Sequence, residues 1–339
     1  MQKYFLNSAR IALILLYLTI FAGAFVRLTG SGMGCPDWPK CFGYYIPPTE
    51  QKELLFTAGK EYDEGQVIIK EETLLVAKAD FIAKTTFESA NWEKYTKHEY
   101  AIFNPLHTWI EYINRLIGAL AGIACIVTFI LSFGYWKEKK KIILLSFLVC
   151  ILIAFQAWLG KTVVDSVLSP LKITVHMLAA LLLVAMQLFI IYSVQKNRQT
   201  TVLNTKFNRI LMLSLLITII QIVLGTDVRE HVDTIAKTGA PEIFWLQNPS
   251  VVFYIHRSFS IVVLVTNLYL FALNSKLVLG FSKIKWVIFL ISLEIISGIL
   301  MYYFAFPFGT QTIHLAIATL LFGIQFYMIL ESKSDSVMQ

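Results

Sequence analysis

Long apolar runs separated by short polar stretches organise this chain. They cover roughly 11–26, 108–135, 142–164, 173–194, 210–226, 251–274, 286–306 and 312–330. A helix needs about 20 mostly apolar residues to cross a bilayer, so the pattern predicts eight spans. The first, fifth and last are short by this measure. No small-residue cleavage site follows the first run, which reads as a retained span rather than a removed signal peptide. A long polar segment, 28–106, separates the first two runs. Its beginning, 29–43, is rich in Gly, Pro and Trp, and 50–100 mixes nearly balanced charges. That composition suits a small solvated excursion, expected to be partly helical.

Composition narrows the class. Of 339 residues, 57% are hydrophobic and 15% charged, against about 45–50% and 25% in soluble domains. An ordinary cytosolic domain, a disordered chain and a nucleic-acid-binding module are excluded. The net charge of +7 therefore reads as topology. Lys3, Arg10, Lys137, Lys139, Lys140, Lys141, Lys196, Arg198, Lys206, Arg209, Lys276, Lys283, Lys285 and Lys333 all fall on one side of eight spans. By the positive-inside rule both termini are cytoplasmic and 28–106 lies outside. A bacterial cytoplasmic (inner) membrane is the expected setting.

Short matches relate the two halves. Glu111-Tyr112-Ile113-Asn114-Arg115 lies on Phe253-Tyr254-Ile255-His256-Arg257, and Thr174-Val175-His176 on Thr312-Ile313-His314. Gln187 and Gln325 each follow those last histidines by eleven residues. Gln156-Ala-Trp-Leu159-Gly160 resembles Gln221-Ile-Val-Leu224-Gly225. A parallel repeat follows. The expected fold is all-α: eight transmembrane helices as two pseudo-symmetric four-helix bundles, 1–194 and 210–339, joined by a cytoplasmic linker at 195–209.

Four of the six histidines, His107, His176, His256 and His314, begin even-numbered spans at one depth near the outer surface. Ionisable residues within spans usually mark a site; the alternative for each is an interfacial ring wetted by headgroups. Zinc would want more ligands than His256 and His314 offer. Two imidazoles on facing helices suit the axial positions of a haem iron. Arg257 either pairs with a propionate or snorkels to the interface. In the first half, Asn114 stands in the slot of His256, leaving His176 as one strong ligand. His107, Glu111 and Asn114 share a helix face, with His107 about 10 Å from Asn114 along the axis. One ligand, a carboxylate and an open position suit a substrate site. Glu111 is either functional or bonded to Asn114, Arg115 or backbone. Glu294, a second intramembrane carboxylate, reads as structural, and Cys125 and Cys150 as packing residues.

Cys35 and Cys41 follow the first span in an outside loop, where glycines and prolines let a bridge close. It is either a staple worth roughly 2–3 kcal/mol or a redox-active pair near the cofactor end.

RLTGSGMGCPDWPKC at 27–41, E-Y-I-N-R at 111–115, the Leu-Gly stretch ending in a histidine at 159–176, IHR at 255–257 and IHL at 313–315 resemble the haem A synthases of aerobic bacteria and mitochondria. The resemblance covers all eight spans and omits 44–100. It implies two four-helix bundles that oxidise a ring methyl of haem O to a formyl group. On it, haem b sits between His256 and His314, and the substrate haem takes His176, with Glu111 as the catalytic carboxylate. Cys35 and Cys41 join the catalytic set, and Arg115, Arg257, Asn114 and His107 the cofactor-binding set. The implied partners are haem O synthase, an electron acceptor and the bilayer, with a homo-oligomer left open. The family motif Glu-x-x-His here reads Glu111-x-x-Asn114, so His107, water or no ligand replaces the missing histidine. Competing classes are a non-catalytic membrane cytochrome b passing electrons between quinone and an outside partner, and a repeat-built transporter.

Overall fold

The computed structural model describes residues 2–196 and 199–332. Arg198 and Lys333, counted above among the one-sided charges, lie outside them. Among the described residues eight α-helices are long and apolar enough to cross a membrane: α1 (Gln2–Leu28), α2 (Pro105–Ser132), α3 (Lys140–Asp165), α4 (Pro170–Val194), α5 (Thr205–Ala236), α6 (Val251–Leu277), α7 (Ile284–Tyr303) and α8 (Thr310–Ser332). The chain is an all-α, multi-pass membrane protein.

The runs that looked short are not short helices. α1, α5 and α8 have 27, 32 and 23 residues, because polar residues at their ends continue the helical backbone. On α5 the Asn204 side chain caps the start by accepting from the Phe207 N–H at 2.9 Å, which satisfies an otherwise orphaned donor. At its far end an Arg229–Asp233 pair at 2.7 Å supports a last polar stretch one turn apart. His231, outside the apolar run, therefore lies on α5.

The chain divides into two compact units. One comprises 1–24, 120–154 and 177–339, the other 25–119 and 155–176. In the first unit α5 packs on α6 and α8, and α7 on α6 and α8. Phe207, Leu211, Leu270, Phe281, Val287 and Met328 fill the space between them. Phe5, Ala12, Ala121, Cys125, Val149, Val184 and Ile190 make a second apolar core from α1–α4. The expectation of Cys125 as a packing residue agrees with its 1% exposure. The two glutamines that follow His176 and His314 are both fully buried. Gln187 donates to the Ala9 carbonyl of α1 at 2.8 Å. Gln325 donates to Ser214 of α5 at 3.0 Å, which itself bonds Asn267 of α6. Interhelical bonds of this kind are worth about 0.6–2 kcal/mol in apolar surroundings. Ile11, Ile14, Leu18 and Phe21 of α1 remain exposed at helical spacing, as a lipid-facing stripe requires.

The excursion at 44–100 corrects an expectation. It holds short strands and single 3-10 turns rather than α-helix: β1 (Glu61–Tyr62), β2 (Val67–Lys70), β3 (Thr73–Ala77), β4 (Phe81–Ile82) and β5 (Trp92–Lys94). β2, β3 and β5 form an antiparallel sheet in that order, and β1 pairs with β4. The hairpin between β2 and β3 turns through Glu71 and Glu72, both with positive φ, the backbone a two-residue hairpin demands. Flanking charges mask this turn in a reading by composition. Tyr62, Phe81, Phe87 and Trp92 stack into a small core. Removing a buried tryptophan costs about 3–5 kcal/mol. Trp92→Ala is expected to open this subdomain to protease between 45 and 100 in the intact protein while the spans stay uncut. Unchanged cleavage kinetics would contradict it.

Candidate functional site

The candidate residues fall into two sites, each inside one compact unit. In the unit of 25–119 and 155–176, the site is built on α2 and the loop after α1. Arg115 spends four of its five donors on that arrangement. Its Nη1 donates to the carbonyls of Asp37 at 2.6 Å and Lys40 at 3.0 Å, and its Nη2 to Cys35 O at 3.0 Å and to Glu111. The other Glu111 oxygen accepts from the Cys35 N–H at 2.8 Å. One turn away Thr108 donates to Gly34 O at 2.8 Å. Spacing by three and four residues puts Thr108, Glu111 and Arg115 on one face, and that face holds the loop. Glu111 is 3% exposed. Of the partners weighed for it, Arg115 and backbone are the ones it meets.

Cys35 and Cys41 are joined in a disulfide and are buried. Asp37 closes the loop by accepting from the N–H groups of Phe42 at 2.5 Å and Gly43 at 2.8 Å. Burial pushes its carboxyl above the ordinary range, against those two N–H groups and the Arg115 charge, which pull it down. Tyr95 and His98 of the excursion both bond Pro36 O, at 2.7 and 3.1 Å. Gly34 lies flat on α2: a methyl group there would stand 2.5 Å from the His107 carbonyl oxygen.

His176 on α4 and Asn114 on α2 belong to the same compact unit. Nδ1 of His176 and Oδ1 of Asn114 are both buried and have no hydrogen-bond partner. A desolvated unpaired acceptor is costly unless a ligand meets it. Gln156 donates to the His176 carbonyl at 2.7 Å, and a methyl on Gly160 would stand 3.4 Å from the His176 ring. His107 is half-buried at the start of α2.

The second site lies within α5–α8. The rings of His256 and His314 stand 6.4 Å apart between centroids. A metal–imidazole bond of about 2.0–2.1 Å puts each ring centroid about 3.2 Å from the metal, so opposed imidazoles stand about 6.4 Å apart. At that spacing the two rings would be able to hold one iron between them. His314 Nδ1 bonds Glu294 Oε2 at 2.9 Å and Ser297 Oγ at 2.7 Å, which leaves Nε2 as the free ligand atom. Nδ1 of His256 is buried without a partner. Gln221 donates to the His256 carbonyl at 2.9 Å. Arg257 is exposed, with its guanidinium over the rings of Phe253 and Tyr254.

A local motif missed by sequence reading links these positions. Gln156-x-x-x-Gly160 precedes His176, Gln221-x-x-x-Gly225 precedes His256, and Glu294-x-x-x-Gly298 precedes His314. In each case the glycine lies on the histidine ring: methyls on Gly225 and Gly298 would stand 3.2 and 4.0 Å from Cε1. The unit is an αα-hairpin whose first helix is notched where the second presents a ring. The match of Gln156 with Gln221 noted above is thus the signature of this hairpin, occurring three times. Its signal was readable as an amide or carboxylate four residues before glycine on α3, α5 and α7.

Gly34→Ala is expected to lift the loop from α2, because backbone meets backbone there. Reduction of Cys35–Cys41 in the folded protein should speed up at least about tenfold, equivalent to about 1.4 kcal/mol of local opening. Alkylation of the released thiols measures it, and an unchanged rate would show that the contact does not hold the loop.

Comparison with known proteins places these residues in a lineage. A family model described as COX15-CtaA, cytochrome oxidase assembly protein, matches residues 8–326. A protein named heme A synthase from Shewanella oneidensis is 27% identical over 244 residues, covering 70% of this chain and 62% of its own length. One of the same name from Ehrlichia canis is 26% identical over 344 residues, covering 92% of this chain and 88% of its own. Another from Alkalihalophilus pseudofirmus is 24% identical over 326 residues, covering 92% and 91%. This chain belongs to the COX15-CtaA family of cytochrome oxidase assembly proteins.

Proposed function

We propose that the protein is a haem A synthase, an oxidoreductase of the bacterial cytoplasmic membrane that oxidises a ring methyl of haem O to a formyl group. The chain is organised for this as two bundles, 1–194 and 210–339, with both termini inside and 28–106 outside. The observation that carries the reading is the unequal pair of sites. One offers two rings at the separation of opposed axial ligands, which suits an electron-transfer haem b. The other offers His176 and the unpaired oxygen of Asn114, which leaves a coordination position for a substrate.

In the substrate site His176 would hold haem O through its iron. With water as the oxygen source, each of two successive two-electron oxidations would put a hydroxyl on the methyl carbon, release two protons and pass two electrons to an acceptor; the resulting gem-diol loses water to give the aldehyde. Glu111 keeps lone pairs beyond its bonds to Cys35 and Arg115. It offsets cationic character that develops beside the porphyrin, or takes up a proton there. Asn114 donates or accepts hydrogen bonds where the family has a histidine. Arg115 is committed to the loop; in the other site Arg257 would be the residue to pair with a propionate of haem b. Cys35 and Cys41 close the outer side of the site, where haem O synthase and the acceptor are the expected partners.

Extracting the haems of the purified protein tests the reading. Haem B together with haem O or A is expected. Haem B alone would favour a non-catalytic cytochrome b. His256→Ala and His314→Ala are each expected to lose haem b. Glu111→Gln preserves an acceptor for Cys35 but removes the charge. It should lower haem A formation by at least about a hundredfold, within the range of acid–base catalysis. Undiminished haem A would remove Glu111 from the chemistry.

A further inference from the structure

We propose that Glu294 is a positioning residue that sets the reduction potential of the iron held by His256 and His314. The inference rests on the haem b site proposed above. Glu294 lies on α7 inside an apolar span, where a carboxylate is expensive and needs a partner. Its Oε2 is 2.9 Å from Nδ1 of His314. Its Oε1 is buried with no hydrogen bond, so the side chain is committed to the ring. Ser297, one turn on, donates to the Glu294 carbonyl at 2.9 Å and stands 2.7 Å from the same Nδ1. The imidazole is thereby fixed with its proton on Nδ1, which leaves Nε2 to act as the ligand atom.

A carboxylate behind a ligating histidine does two things. It fixes the ring orientation and makes the ligand more electron-donating. It also places a negative charge a few ångströms from the iron in apolar surroundings, where charge is weakly screened. Both favour the oxidised iron. The other two histidine hairpins lack this device. Gln156 and Gln221 occupy the position four residues before glycine, yet each bonds the backbone carbonyl of its histidine. Nδ1 of His176 and of His256 stays unpaired. One ligand of three is therefore charge-assisted, and it is on the two-histidine site. The structure assigns Glu294 to making that centre the more reducing one.

Optical redox titration of haem b in the purified full-length protein tests this. Glu294→Gln should lower the ratio of oxidised to reduced haem at a given potential at least about tenfold, an upward shift of 59 mV for a one-electron couple. Glu294→Asp, which keeps the charge but shortens the reach, should shift the couple in the same direction by less. A haem-loaded Glu294→Gln with the wild-type potential overturns the inference and leaves the haem b reading standing. If only Glu294→Asp retains haem, an unshifted potential there overturns it equally. Loss of haem from both variants in folded protein overturns it in favour of a role in assembly alone. Absence of haem b from the wild type overturns the underlying reading and the inference with it.

Discussion

An arginine in the first half of an apolar helix must find acceptors, and the arrangement around Arg115 follows from how it finds them. Four of its donors go to one short loop and to the carboxylate one turn back. Paired charges and satisfied carbonyls make a site affordable where bare ones would not be. The Cys35–Cys41 loop has no secondary structure of its own beyond short turns, so its carbonyls would otherwise be orphaned. Arg115 gathers three of them, Thr108 a fourth, and Glu111 collects the matching N–H. The loop and α2 are therefore one hydrogen-bonded object. The disulfide closes it; the guanidinium holds it to the helix.

The histidines obey a different constraint. A ring that must face a ligand cannot also be filled in from behind by a bulky neighbour, and each of the three lies on a glycine of the preceding helix. The residue four positions before that glycine, one turn along the helix, then reaches the same histidine. Where it is glutamine it ties down the backbone; where it is glutamate it reaches the ring. A single change of side chain, on an otherwise repeated hairpin, thus separates a histidine held only through its backbone from one whose ring is bonded as well.

Much of this was legible beforehand. Eight spans follow from apolar run length, and the candidate ligands follow from histidines within spans. Glu111 was singled out because charges there are rare, and Arg115, one turn on, was weighed as its partner. Which loop atoms the two would meet was not legible, because hydrogen bonds between residues some 75 positions apart leave no local pattern. Glu294 was read as structural for the same reason, since its contact with His314 requires two helices. The two sheets within 61–94 were missed because their strands are two to five residues long and carry charge at their edges. The ends of α5 were missed because capping and an ion pair, rather than hydropathy, decide where a helix stops.

That last helix has a mechanical meaning. At about 1.5 Å per residue, the 32 residues of α5 extend roughly 48 Å, whereas the hydrocarbon core is about 30 Å thick. A tilt large enough to hide the difference would exceed the roughly 40° limit seen for spanning helices. The polar final turns of α5 therefore reach past the hydrocarbon core into the headgroup layer, since the whole bilayer is about 40–45 Å across. A rigid helix rather than a flexible loop thus brings the chain out of the apolar layer to the segment 237–250.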